Sequence, residues 1–427
     1  MSSTQPAPRG RRTVARHGRL TSPHPVSQLL TMLAVAIAVV LVAGFGVAAY
    51  VAYDLTSSFT ADATELEGQA AVPPDIGAIE GGVNLFIAGT DACEPEYESI
   101  FGARCTGPDA GGELNDVNML VHISDEPRRV TVISFPRDLM VPIPACTDED
   151  GNTSSAMSKQ QINTTFTYGG LSCTVKTISE LSGQSIPFAA TVTWGGVIEI
   201  TNAIGGVDVC VSGGIRDRHT GLDLSPGIHT IQGVEALQFL RTRHGVGDGG
   251  DLGRISNQQQ YMSRLAHKLV SDQVLSNPAT LYRLASSALN SIDPSTSLTN
   301  PLTLAQIALA VRDVPFEEIV FIQYPTLADP SDANRVVPNY DAADELWAAL
   351  EANQPLELTG DTSQGDGVIV VEPPEEPSDA ATEAPAPTEG ATEVPAPTET
   401  AIALPESISG VTAAQETCSN GNLTGIG

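Results

Sequence analysis

From Leu29 to Tyr53 the chain reads LLTMLAVAIAVVLVAGFGVAAYVAY, without one charged side chain. This run constrains everything else. A spanning helix needs about 20 apolar residues, whereas the core of a signal peptide has roughly 7–15. The run therefore reads as one transmembrane helix over residues 29–53, with a cleaved signal peptide of unusually long core as the alternative. Arg9, Arg11, Arg12, Arg16 and Arg19 precede it, and Asp54 opens an acidic flank. By the positive-inside rule residues 1–28 form a cytoplasmic basic tail, and everything after Tyr53 lies outside the cell membrane.

The exterior part is strongly acidic. Taking those five arginines from the chain's 21 Lys+Arg leaves 16 against 51 Asp+Glu, a net charge of −35. Phosphate backbones need basic surfaces, so nucleic acid is not expected as a partner. Six cysteines, Cys93, Cys105, Cys146, Cys173, Cys210 and Cys418, all follow the apolar run. An even number in an oxidising compartment points to disulfides. Nearness in sequence pairs Cys93 with Cys105 and Cys146 with Cys173, leaving Cys210 for Cys418. No C-x-x-C occurs, which argues against thioredoxin-like chemistry and a structural zinc site.

After a polar spacer (54–82), apolar runs VNLFIAG, VNMLVHI, RVTVISF, PFAATVTW and GVDVCV read as strands. Helical patterns lie among them at Thr174–Leu181, Gly196–Ala203 and Gly233–Leu240. A longer helix runs from Ser256, with Ile255, Met262, Leu265 and Leu269 on one face. Strands mixed with helices predict an α/β domain with a covered sheet over 83–270. Beyond it, EEIVFIQYP reads as a strand and DAADELWAALEAN as a helix with an Asp N-cap. Residues 271–358 are thus expected as an extension packed on or beside that domain. From Thr359, Pro, Thr, Ala and Glu dominate, with the near-repeat ATEAPAPTEG–ATEVPAPTET. Such composition predicts a disordered tail over 359–427, dispensable for chemistry from Thr359 to Pro405.

Several motifs carry nothing. GVGDGG matches a dinucleotide loop but follows a helical segment rather than a strand. CTDEDGN lacks the spacing and final Glu of a calcium loop. Neither G-x-S-x-G nor H-E-x-x-H occurs, and the seven His form no ligand pattern. The stretch LRTRHGVGDGGDLGRISNQQQ is different. Arg241 and Arg243 close one helix, and Arg254 opens the next, with Gln258 four residues on and on the same face. A helix N-terminus with guanidiniums around it is an anion site, and phosphate or pyrophosphate is the natural guest. Arg–Asp pairing with Asp248 and Asp251 on a solvated face explains the same spacing equally well. Arg137, in FPRD, follows a predicted strand, as does Asp91 in AGTD, while Asp116 precedes one. Two carboxylates near phosphate oxygens suggest Mg²⁺ or Mn²⁺.

Taken in order, NLFIAGTD, NDVNMLVHIS, RRVTVISFPRDLMVPIP, QINTTFTYGG, NAIGGVDV, GIHTIQGVEALQFLRTRHG and GDLGRISNQQ resemble the LytR-CpsA-Psr family of cell-envelope proteins. The extra cysteines and the form RTRHGVGDG are similar to its actinobacterial branch. The resemblance implies a mixed central β-sheet flanked by helices, with an apolar channel for a lipid tail. It implies transfer of a phosphoglycosyl polymer from a polyprenyl-pyrophosphate lipid to peptidoglycan at the outer membrane face. Arg137, Arg241, Arg243, Arg254 and Gln258 would then hold the pyrophosphate, and Asp91 and Asp116 the metal. Asp116, Arg137, Arg243, Asp251 and Arg254 would form the catalytic set, with Asp251 orienting the arginines or helping to activate the acceptor. Two positions depart from the family pattern. Cys93 stands where an Arg is common, with Arg104 as its stand-in, and Asn257 precedes Gln258 where Arg is frequent. A non-catalytic glycan- or lipid-binding protein and a pyrophosphatase are the competing readings.

Overall fold

The computed structural model describes residues 63–69, 82–107, 113–148, 150–270, 291–371 and 401–423, with four more between 283 and 288. The expectations for the basic tail, the transmembrane run and the Pro/Thr/Glu repeat (372–400) lie outside the described residues. Among the described residues no helix is long and apolar enough to cross a membrane.

The first half of the fold contains β1 (Val83–Thr90), β2 (Asn115–Ile123), β3 (Val130–Phe135), α1 (Thr165–Ser182), β4 (Phe188–Thr193) and α2 (Trp194–Ala203). It continues through β5 (Val207–Ser212), β6 (Gly227–Ile231), α3 (Gly233–Arg241) and α4 (Asp251–Val270). The remainder contributes β7 (Ile292–Pro294), α5 (Pro301–Arg312), β8 (Ile319–Gln323), α6 (Tyr340–Glu351), β9 (Val368–Val370), β10 (Gly410–Thr412) and β11 (Thr417–Asn420).

Seven strands form one mixed sheet in the order β7-β4-β1-β2-β3-β8-β10. The β1–β4 and β3–β8 pairs are parallel, and the others antiparallel. Every residue of β3 is buried, as a strand covered on both faces requires. The pleat divides the strand side chains between two environments. Phe86, Ala88, Leu120 and Ile133 pack with Val175 and Ile178 of α1 and with Leu346 and Leu350 of α6. On the other face Val83, Val130, Val132 and Phe321 meet Ile307 and Val311 of α5. Helix α6 is capped by Asn339, whose side chain accepts from Ala342 N at 3.4 Å, and not by the Asp expected from sequence. The predicted mixed sheet flanked by helices is thus present.

Two predicted boundaries are overturned. Residues 271–358 are not an extension beside the domain, because β7 and β8 are strands of the main sheet itself. The weaker hydrophobic pattern after Asp272 marks short elements, not a separate unit. Nor is 359–427 a tail throughout. Leu356–Glu357 pairs with Ile402–Ala403, β10 closes the sheet edge beside β8, and β9 and β11 complete a second sheet, β6-β5-β11-β9. Leu404, Ile408 and Val411 are buried. Residues 359–371 and 401–405 are therefore part of the fold rather than dispensable. Composition averaged over the segment hid strands of two to four residues whose partners lie far away in sequence. Part of the spacer is held too: Thr64 N donates to Pro294 O at 2.9 Å, and Leu66 packs on the core.

All three expected disulfides are present: Cys93–Cys105, Cys146–Cys173 and Cys210–Cys418. The last joins β5 to β11 across 208 residues. Beside it, buried Gln260 of α4 donates to Cys210 O at 2.7 Å and to Thr417 O at 3.1 Å.

Truncation after residue 400 should therefore yield aggregating or early-melting protein. Cys418→Ser is expected to cost about 2–4 kcal/mol, as loss of a long-loop crosslink does. Denaturant unfolding under oxidising conditions measures this, and an unchanged midpoint would show the crosslink idle. A second expectation concerns His122 of β2, which is 5% exposed, with Nδ1 2.9 Å from Asn84 Oδ1. Burial pushes its pKa down to about 4, against about 6.5 when unfolded. Between those values the unfolded chain binds the extra proton, so stability falls as pH drops from about 6.5 to about 4, by about 3 kcal/mol in all. His122→Gln should remove that part of the pH dependence in denaturation curves.

Candidate active site

Helix α3 ends at Arg241, and α4 starts ten residues later at Asp251. Thr242 between the two arginines turns inward. Its hydroxyl donates to Asp217 Oδ2 at 2.8 Å, and the same oxygen accepts from Arg243 N and His244 N. Asp217 is buried, yet those hydrogen bonds outweigh its desolvation and hold its pKa below the usual range. With residue 242 anchored, the flanking guanidiniums are free to reach the space between α3, α4 and β3. In the glycine loop, Gly247 and Gly249 have positive φ. Gly247 also allows a close approach, since a Cβ there would meet Gly365 O at 2.0 Å. The loop thus packs on the C-terminal segment.

Asp251 is the point on which the arginines converge. Its Oδ1 lies 2.8 Å from Arg254 Nη2, 3.5 Å from Arg137 Nε and 3.9 Å from Arg243 Nε. These are ion-pair distances without hydrogen-bond alignment: Nε of all three arginines and both Asp251 oxygens are buried and make no hydrogen bond. Such groups are costly unless something satisfies them. Arg137 Nη1 also bonds both oxygens of Asp116, at 2.9 and 3.0 Å, and Arg254 Nη2 donates to Asp116 O at 2.9 Å. Burial alone would raise the Asp116 pKa, but Arg254 and Arg137 overcome that and lower it. Burial depresses the Arg243 pKa, helped by the like charge of Arg137.

Beside this cluster is a cavity of about 220 Å³. Ile87, Val117, Met119, Leu237, Leu240 and Met262 are among the apolar groups on its wall, while Asp116, Arg241, Arg254 and Gln258 are also on it. The wall follows from two periodicities. Ile87, Val117 and Met119 are the side chains that β1 and β2 turn away from the Phe86–Leu120 core. On α4, Arg254, Gln258, Tyr261 and Leu265 follow at helical spacing, so one helix face runs from guanidinium to hydrocarbon. The expected shared face of Arg254 and Gln258 is present. Gln258 Nε2 donates to Leu240 O at 2.8 Å. Arg241 lies over the Trp194 ring, 3.6 Å from its centroid, and burial lowers its pKa.

The other predicted residues fall as follows. Asp91, buried, accepts from Leu114 N and from Arg104 Nε, both at 2.8 Å. Asn257 is fully buried, donates to Phe239 O and accepts from Ser419, and so does not face the site. Asp91 and Asp116 are both within electrostatic reach of Arg241. Among the described residues no group of three or more His, Cys, Asp or Glu could hold a metal alone. Two carboxylates are a donor set that Mg²⁺ accepts when phosphate and water complete its shell.

Sequence reading missed three parts. Trp194 is roofed by the Cys93–Cys105 loop, with Phe101 edge-on at 4.8 Å. Glu94 fastens that loop by accepting from Thr193 Oγ1 and Gly195 N. Asp217 gave no signal, being a lone Asp in a short strand. Arg335, from the supposed extension, reaches Asp138 Oδ1 at 2.9 Å, where Gln161 Nε2 also donates at 2.7 Å.

The chain is 25% identical over 311 residues to the cell wall biosynthesis protein LcpA of Corynebacterium glutamicum, covering 67% of this chain and 57% of that protein. It is 26% identical over 262 residues to the polyisoprenyl-teichoic acid–peptidoglycan teichoic acid transferase TagV of Bacillus subtilis, covering 60% and 63%. It thus spans less than two thirds of either relative. Protein gbs0355 of Streptococcus agalactiae shares the fold, with a TM-score of 0.50 at 17% identity, over 63% of this chain and 86% of that one. The family description of LytR_cpsA_psr matches residues 49–352, and the chain belongs to that family.

Proposed function

We propose that the protein transfers a phosphoglycosyl polymer from a polyprenyl-pyrophosphate carrier to peptidoglycan at the outer face of the cell membrane. One observation carries this reading: three guanidiniums whose buried Nε–H groups make no hydrogen bond stand beside an apolar cavity. Arg137, Arg243, Arg254 and Arg335 share three carboxylates, Asp116, Asp138 and Asp251, Arg241 lies over Trp194, and Arg104 pairs with Asp91. The excess of guanidiniums over carboxylates suits the negative charge of a pyrophosphate diester. The apolar wall suits the first isoprene units of the lipid. The named transferase among the relatives supports the same class of donor and acceptor.

In this reading Arg137, Arg243 and Arg254 hold the phosphoryl oxygens and meet the charge that develops during transfer. Asp251 keeps the three guanidiniums converged. Arg241, held over Trp194, and Gln258 line the entry to the cavity. Asp91 and Asp116 are the proposed ligands of Mg²⁺ or Mn²⁺, which when bound would neutralise phosphate charge. The segment 29–53 is the proposed membrane anchor, and it would keep the site at the level of the lipid headgroup.

The test is turnover of a polyprenyl-pyrophosphate-linked saccharide with peptidoglycan strands and Mg²⁺, reading a covalent sugar-phosphate adduct by mass spectrometry. Arg243→Ala is expected to lower adduct formation roughly 100-fold or more with its melting curve nearly unchanged, because the side chain is partly exposed. Full activity in that variant would remove the arginine cluster from the mechanism. Val197 of α2 is also on the cavity wall, and filling the cavity with Val197→Trp should raise KM for a long-chain donor and spare a donor with a very short chain. Equal effects on both donors would mean that the cavity does not hold the lipid.

A further inference from the structure

Asp138 is adjacent to Arg137 in the chain but is not on the cavity wall. Its two oxygens are used differently. Oδ1 accepts from Gln161 Nε2 and Arg335 Nη1. Oδ2 lies 3.8 Å from Arg137 Nε and, among the described residues, accepts no hydrogen bond. Arg137 divides the site. Its Nη1 bonds Asp116, which is on the cavity wall, whereas its Nε faces Asp138 and Asp251.

In phosphoryl transfer the attacking and leaving oxygens are roughly in line across phosphorus. If the lipid phosphate departs on the cavity side, the incoming hydroxyl must approach from the side on which Arg137 presents its Nε. Two carboxylates stand there. Asp251 is 8% exposed and meets three guanidiniums. Asp138 is more open, and its Oδ2 has no hydrogen-bond donor among the described residues.

We propose that Asp138 is the general base of the transfer, with Arg335 and Gln161 as the residues that position it. This rests on the transferase reading above. The acceptor hydroxyl gives its proton to Asp138 Oδ2 as its oxygen bonds to the sugar-linked phosphorus. The bond from that phosphorus to the bridging oxygen breaks, and polyprenyl monophosphate leaves with the electron pair. Asp138 then returns the proton to solvent. Its pKa is shifted in the direction a base needs. Burial and the neighbouring Asp251 raise it, although Arg137, Arg335 and Arg243 act in the opposite direction. Among the described residues, these four are the charged groups that act on it most.

The experiment uses the full chain in detergent micelles with a synthetic polyprenyl-pyrophosphate saccharide. Released lipid monophosphate and peptidoglycan adduct are measured separately. Asp138→Asn should slow release about 100-fold or more, while donor binding by titration calorimetry stays close to wild type. Asp138→Glu should recover part of the rate. Arg335→Gln removes a cation facing the carboxylate and should move the acid limb of kcat/KM to higher pH. A wild-type release rate in Asp138→Asn, or an acid limb unmoved by Arg335→Gln, would overturn the assignment. Should wild type release lipid monophosphate without making adduct, the transferase reading fails. The base assignment is still decided by the release rates, with water as the acceptor.

Discussion

The site depends on one buried carboxylate. Three guanidiniums of like charge do not gather at the bottom of an acidic protein unless something offsets their repulsion, and Asp251 is placed to do that. It opens α4, while Arg254 is one turn further along, Arg243 lies across the glycine loop and Arg137 follows β3. A charge cluster of this kind is poor evidence for stability, because removing charges from water offsets most of their attraction. Its incomplete hydrogen bonding is better understood as preparation for a ligand. In the proposed transfer, donors fixed before the substrate arrives would need little rearrangement as charge develops on phosphorus.

That preparation relies on support from distant parts of the chain. Asp217 anchors the Arg-Thr-Arg turn from another strand, and the disulfide loop roofs Trp194 under Arg241. The floor of α4 is held from β8 and from the C-terminal strands: Gln323 reaches Ser256, Gln260 reaches Thr417, and Asn257 meets Ser419. A helix carrying Asp251, Arg254 and Gln258 is thus clamped on the face opposite the site. This gives Asn257 its role. It ties the helix down, whereas Arg254 and Gln258 reach the ligand side.

The C-terminal strands also solve an edge problem. Without β10 the β8 edge would present unpaired backbone groups, and without β11 the second sheet would lose its link between β5 and β9. Open edges of this sort invite pairing with other chains. The returning C-terminal segment supplies both strands, and the Cys210–Cys418 crosslink fixes the second of them to β5.

Much was legible in the sequence alone. The strands β1 to β5 and helices α1 to α4 follow from hydrophobic period, the disulfide pairs from spacing, and Arg241, Arg243, Arg254 and Gln258 from their place around a helix junction. Apart from the disulfides, the last of which follows by elimination, those signals are local, lying within a few turns of chain. What only the tertiary structure decided is non-local. Sheet membership of β8 and β10, the partner of Asp91, the ring beneath Arg241, the anchoring by Asp217 and the approach of Arg335 to Asp138 each join segments that local pattern does not connect. A strand of three residues carries too little pattern to announce itself, and a lone Asp or Trp acquires its role only from what the fold places against it. The cavity is the extreme case. Its wall takes residues from β1, β2 and β4 and single faces from α2, α3 and α4, so no continuous stretch of sequence describes it.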